Sequence, residues 1–135
     1  MLIELAVRDL GVVEEARIVF GPGMTAITGE TGAGKTVLVG ALDLLLGGRA
    51  ESSMVRHGAS EATVEARFEK DDDEVVLRRV VPREGRSRAY IDGSMCTVAT
   101  LADAGGVLAD LHGQHAHQSL LERSAARLAL DRFAD

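Results

Sequence analysis

Cysteine, proline and aromatic residues are scarce in this chain of 135 residues, which holds one cysteine, two prolines, one tyrosine, three phenylalanines and no tryptophan. A lone cysteine, Cys96, excludes an intrachain disulfide framework. Four scattered aromatics (Phe20, Phe68, Tyr90 and Phe133) do not make a stacking platform for single-stranded nucleic acid. No apolar run approaches the ~20 residues that a membrane-spanning helix needs. The opening Met1-Leu2-Ile3-Glu4 lacks the basic-then-apolar build of a secretory signal, so the expected compartment is the cytoplasm. Excess positive charge is missing too. Twenty-one acids against fifteen bases leave a formal charge of -6, so no chain-wide cationic field attracts DNA or an anionic membrane, and any DNA contact is local or made elsewhere.

What is present suffices for a core: 46% of residues are hydrophobic and 27% charged, a composition that excludes wholesale disorder and fits one domain or a piece of a larger protein. Leu2 to Arg8 and Glu15 to Phe20 read as a strand pair separated by Asp9-Leu10-Gly11. Gly21-Pro22-Gly23 is a tight turn, and Met24 to Thr28 is a third strand running into a glycine-rich stretch. Lys35 to Leu46 is apolar nearly all round and closed by Gly47-Gly48, the pattern of a buried helix with glycine past its end.

From Glu61 the period drops to two. Ala62, Val64, Ala66 and Phe68 share one side and Glu61, Thr63, Glu65 and Arg67 the other, as in a half-buried antiparallel strand. Asp71 to Asp73 turns the chain into Val75 to Val81, Pro82 stops that strand, and Arg86 to Asp92 follows the Arg83-Glu84-Gly85 turn, completing a β-meander. Thr97 is an expected N-cap for a short helix ending near Gly105-Gly106. Val107 to Leu111 reads as a strand that empties into His112-Gly113-Gln114. A last helix, from about Ser119, places Leu121, Ala125 and Leu128 on one stripe and reaches Asp135 without a capping residue, the mark of an element interrupted.

Chemistry concentrates at Gly29-Glu30-Thr31-Gly32-Ala33-Gly34-Lys35-Thr36. These residues satisfy G-x-x-x-x-G-K-[ST] at every fixed position, between an expected strand and an expected helix. Glycines let backbone N–H groups curl around phosphate oxygens with no Cβ in the way. Lys35 supplies a point charge for the β- and γ-phosphates and the Thr36 hydroxyl a ligand for Mg²⁺, while the helix starting there adds its positive dipole end. Binding of a nucleoside triphosphate follows. Hydrolysis also asks for a carboxylate on the magnesium and a group to orient water. Asp110, after Val107-Leu108-Ala109, and Asp131, after Leu128-Ala129-Leu130, are the apolar-run-then-Asp candidates, and neither is followed by a second acid.

His112, His115 and His117, with Gln114 and Gln118, form a second polar cluster. Its spacing matches no zinc pattern and no cysteine lies near. It reads either as a solvated loop or, with a P-loop upstream, as a segment whose Gln114 folds across the nucleotide to contact Mg²⁺ or position water. Arg78, Arg79, Arg83, Arg86 and Arg88 gather around one hairpin, as a phosphate-contacting patch or as a solvated face balanced by Asp71 to Glu74. Arg49 and Arg56 have no spacing rule to assign them.

The whole chain resembles the N-terminal part of the bacterial RecN family, DNA repair proteins related to the SMC proteins and built on an ABC-type ATPase head. Leu2-Ile3-Glu4-Leu5, the run Thr28 to Thr36, Ala41-Leu42-Asp43-Leu44-Leu45-Leu46-Gly47-Gly48-Arg49-Ala50, Val55-Arg56-His57-Gly58-Ala59 with Val64-Glu65-Ala66-Arg67-Phe68, and Asp110 to Leu121 carry the likeness. Asp9, where asparagine is expected, and Thr36, where serine is commoner, are small departures.

The resemblance implies an α/β fold: the N-terminal lobe of a P-loop ABC/SMC-type ATPase head over residues 1–118. A mixed sheet and an antiparallel β-meander surround the P-loop helix, and residues 119–135 begin a coiled-coil helix. It implies ATP and Mg²⁺ as cofactors. Gly29, Glu30, Thr31, Gly32, Ala33, Gly34, Lys35 and Thr36 bind the nucleotide, Lys35 and Gln114 are catalytic, and Thr36 and Gln114 contact the metal. The implied partners are the chain's own C-terminal head lobe, a second head in a homodimer, and DNA, with double-stranded ends as the expected form, in a bacterial cytoplasm at the nucleoid and not at a membrane. Walker B and signature motifs are not found in these residues, so the fragment alone is expected to be inactive, the full-length protein being the ATPase. The competing reading is a small P-loop nucleotide or metabolite kinase. In such kinases the P-loop follows a single strand near the start, whereas here three expected strands precede it.

Overall fold

The two-residue period from Glu61 decides the architecture. Ala62, Val64, Ala66 and Phe68 are all buried to 1% exposure or less, and they run down the middle of the computed structural model, which describes residues 1–28 and 33–111. Their strand, β3 (Glu61–Lys70), lies between β1 (Leu2–Leu10) and β4 (Asp73–Pro82). With β2 (Val13–Val19), β5 (Arg88–Ile91) and β6 (Ser94–Cys96) they form one six-stranded sheet in the order β2-β1-β3-β4-β5-β6, antiparallel at every pairing. The parallel ladder of a mixed sheet does not occur among the described residues.

Register puts opposite chemistries on the two faces. Leu5 pairs with Ala66 and Ala66 with Leu77, Val7 with Val64 and Val64 with Arg79. This inner face is covered by α1 (Ala33–Leu45) and α2 (Val98–Leu108), whose Ala41, Leu44, Leu45 and Leu101 join the same core. The outer face carries a lattice of ion pairs. Arg17 meets Glu4 at 2.7 Å, Arg67 meets Glu4 at 3.4 Å and Glu74 at 2.9 Å, and Arg88 meets Glu61 at 2.8 Å. Arg78 stands over the Tyr90 ring, 5.5 Å from its centroid. Most of these charges are solvated and each pair contributes little to stability; Glu74, which faces Glu69 across the ladder, is offset by Arg67.

Turns follow from residues that tolerate positive φ. Asp71 and Asp72 (φ 52° and 67°) join β3 to β4, and Asp92 and Gly93 (φ 49° and 82°) join β5 to β6. Both are two-residue connections with two left-handed residues, the form that matches the twist of an antiparallel pair. Asp9, where asparagine is expected, is also left-handed at φ 51°, a conformation these two side chains share.

Three expectations are corrected. Met24 to Thr28 is not a strand. Residues 21–28 are exposed, Met24 to 97%, and with no ladder partner among the described residues their N–H and C=O groups are left to solvent and no strand forms. Val107 to Leu111 is not a strand either, because α2 runs through Gly105-Gly106 to Leu108. Thr97 caps α2 as expected, its side chain accepting from the Thr100 N–H at 3.1 Å. The two glycines fail to stop the helix because Gly105 is buried against α1's end, where a Cβ would stand 2.8 Å from Leu46 Cδ2, and packing overrides propensity. Finally, α1 is not buried all round: Val39 is 52% exposed on its outer side. The sequence reading also missed β6, although Asp92-Gly93 after an apolar pair is a hairpin signal. No described helix is long and apolar enough to cross a membrane. The helix expected from Ser119 lies outside the described residues.

Candidate nucleotide-binding site

The glycine-lysine-threonine end of the P-loop motif forms the first turn of α1, which starts at Ala33. Gly29, Glu30, Thr31 and Gly32 lie outside the described residues. At Gly34 a Cβ would meet nothing within 4 Å, so the space over the helix's first turn is open. Lys35, Gly34 and Thr28 line a cavity of about 330 Å³ together with Val13, Ala16, Ile18, Ile27 and Leu38. Its floor is thus the inner side of the β2 edge, and the P-loop lysine is the charged residue of its lining.

Thr36 lines a different, almost wholly apolar cavity of about 230 Å³, with Leu10, Gly11, Val37, Gly40, Leu44 and Met54. The β1–β2 turn closes this side, and its position is tied down by backbone. The Gly11 N–H donates to Met54 O at 2.7 Å and the Arg56 N–H to Asp9 O at 2.8 Å. Gly11 (φ 58°) also lies so near α1 that a Cβ would stand 3.0 Å from Val37 Cγ2.

Arg56 and Arg83, unassigned or grouped only by sequence, hold this neighbourhood together. The Arg56 guanidinium lies 3.8 Å from Asp9 and 3.7 Å from Glu14. Arg83 donates to Arg56 O at 2.7 Å and Ala59 O at 2.9 Å, pinning the Val55-to-Ala59 loop to the end of β4. Arg49, 88% exposed, meets Glu51 at 3.7 Å.

At the far end, α1 closes with a Schellman reversal: the Gly48 N–H donates to Asp43 O at 2.8 Å and the Gly47 N–H to Leu44 O at 3.3 Å, with Gly47 left-handed at φ 91°. Arg79 adds a cation there. It is only 2% exposed, and its Nη1 donates to Leu44 O and Gly48 O at 2.9 and 3.0 Å. Burial holds its guanidinium below the ordinary arginine range, opposed by the charge of Asp43. The five clustered arginines are therefore not one patch. Arg79 shares the inward phase of Leu77 and Val81, a signal already visible in the alternation of β4.

Asp110 does not end a strand. It is exposed, two residues beyond α2, and the apolar-strand-then-Asp geometry that motivated it is not formed because Val107 and Leu108 are helical. Gln114, His112, His115, His117, Gln118 and Asp131 lie outside the described residues.

The described residues fit a nucleoside triphosphate. A lysine and an open glycine stand at a helix N-terminus, where N–H groups and dipole favour anions, beside a cavity with an apolar floor. The Thr36 hydroxyl is a hard oxygen ligand of the kind Mg²⁺ takes.

Comparison with known proteins agrees. An AAA domain family profile matches residues 4–123. A DNA repair protein RecN of Xylella fastidiosa is 41% identical over 99% of this chain and 27% of its own length, and one of Streptomyces coelicolor is 43% identical over 96% and 26%. The chain thus spans about a quarter of the length of these relatives. Among solved structures, a Pyrococcus furiosus Smc head domain with an extended coiled coil, bound to the C-terminal domain of ScpA, is 25% identical with a TM-score of 0.73, covering 97% of this chain and 41% of that one. The fold is that of the N-terminal lobe of an SMC-type head, and the chain belongs to the AAA domain family and, within it, to the RecN proteins.

Proposed function

We propose that this chain is the ATP-binding half of an SMC-like ATPase head that acts in DNA double-strand break repair and recombination. The observation that carries the proposal is the placement of Gly34, Lys35 and Thr36 in the first turn of α1, with Lys35 lining an open cavity. Lys35 holds the β- and γ-phosphates, and backbone N–H groups of residues 29–34 wrap their oxygens. Thr36 and Gln114 hold Mg²⁺, and Gln114 orients the attacking water. When bound there, Mg²⁺ would supply neutralisation of the negative charge that develops during phosphoryl transfer.

Residues 1–118 are the lobe and residues 119–135 the root of a coiled coil; the extended coiled coil of the Smc relative supports the latter. The exposed Met24, Ile27 and Val39 support a further lobe in the complete head. Closure of two heads on ATP, each completing the other's site, then tethers DNA ends in a bacterial cytoplasm at the nucleoid. The small-kinase reading has less behind it, since the curated relatives are DNA repair proteins.

Steady-state ATP hydrolysis by the full-length protein tests this. Turnover per protomer should rise with protein concentration, respond to linear duplex DNA more than to closed circles, and vanish in Lys35→Ala. Phosphoryl transfer to a small acceptor, or turnover indifferent to protein concentration and to DNA, would refute it.

A further inference from the structure

The proposed ATP site occupies the N-terminal end of α1, while its other end is held by a residue that site does not use. Arg79 sits in the middle of β4, paired in register with Val64 on one side and Ala89 on the other. Its guanidinium donates to the Leu44 and Gly48 carbonyls through Nη1, and to Ser87 Oγ through Nε and Nη2 at 3.3 and 3.0 Å. Every one of these partners is neutral.

A guanidinium buried without a hydrogen-bonded carboxylate is a costly way to cover a sheet, and an apolar side chain of similar volume often serves packing as well or better. What an apolar chain lacks is a rigid planar fork of donors, which fixes both position and angle. Here the fork ties three segments, β4, the Ser87 turn and the Schellman end of α1. A helix of 13 residues is a rod of about 20 Å, so its footing at Leu44 determines where its first turn stands.

Resting on the nucleotide-binding reading above, we infer that Arg79 is a positioning residue for that site: its hydrogen bonds to Leu44, Gly48 and Ser87 set how α1 stands on the sheet, and hence where Gly34, Lys35 and Thr36 meet the phosphates. Many side chains could cover the helix; the Arg79 fork also fixes its angle at the Leu44 end.

Two variants of the full-length protein, Arg79→Met and Arg79→Lys, separate orientation from packing. In nucleotide-free protein, hydrogen exchange of the Lys35-to-Leu38 amides should be about tenfold faster in Arg79→Met, with β1 and β3 amides unchanged. ATP affinity should fall between about tenfold and a hundredfold, the scale on which small misplacements act, at an unfolding midpoint near that of the wild type. Arg79→Lys, which keeps a donor for the two carbonyls but loses the fork, should fall between. Faster exchange confined to residues 43–48, with ATP affinity unchanged, would overturn the assignment. Should Arg79→Met not fold, Arg79→Lys decides by the same criteria. Should the wild type itself bind no ATP, the nucleotide reading fails, and the exchange pattern still judges the anchor.

Discussion

Gly47 and Ala102 touch so closely that a Cβ on Gly47 would overlap the Ala102 Cβ and stand 3.1 Å from its Cα. The contact closes α1 onto α2, and Gly47 is left-handed as well, at φ 91°. Gly47→Ala therefore meets both backbone strain and a clash, and should cost about 3 kcal/mol. Ala102→Gly in the same chain relieves only the clash, so the double variant should recover about 1 kcal/mol relative to the sum of the single effects. Thermal unfolding of the three variants checks this; simple additivity would mean that the two residues do not constrain each other.

The two residues proposed to hold Mg²⁺ make separable predictions. Thr36→Ala should weaken Mg²⁺-dependent ATP binding about tenfold, the scale of one lost polar contact, and Thr36→Ser should restore it. Gln114→Ala, which loses a Mg²⁺ contact and the group that orients water, should weaken binding less than Thr36→Ala and lower kcat about a hundredfold, as loss of one preorganised polar group does. Calorimetric titration and steady-state rates distinguish the two. Equal loss of binding in Gln114→Ala and Thr36→Ala would contradict the division of roles.

The turn between β3 and β4 should be improvable. Asp72 holds φ 67°, which glycine adopts without the Cβ penalty, so Asp72→Gly should raise stability by about 1 kcal/mol. An unchanged or lowered unfolding midpoint would show that the aspartate contributes something beyond backbone geometry.

At the start of α2, Thr97→Ala removes the acceptor for the Thr100 N–H and should cost about 1 kcal/mol, with Thr97→Ser largely restoring it. Denaturation midpoints for the pair test the cap. Equal loss in both variants would assign the effect to packing of the threonine methyl instead.

Legibility from sequence tracked whether a segment's partners are local. β3 could be read residue by residue, because its period of two reports a face buried by its immediate neighbours. Thr97 and Gly47 were readable as caps for the same reason. Met24 to Thr28 has strand composition but no described partner, and composition alone cannot supply a ladder. Gly105-Gly106 reads as a stop by propensity, and only the close packing on Leu45 and Leu46 lets the helix continue. At the site, the motif announced Gly34, Lys35 and Thr36. The roles of Arg79 and Arg83 depend on carbonyls 24 to 35 residues away in sequence, which no local pattern encodes.

The most direct test of the account is equilibrium binding of ATP, ADP and adenosine to the full-length protein in Mg²⁺, beside Lys35→Ala. The account predicts affinity that grows with the number of phosphates and collapses for ATP in Lys35→Ala while the unfolding midpoint without nucleotide stays put. Equal affinity for adenosine and ATP, or ATP binding unaffected by Lys35→Ala, would contradict it.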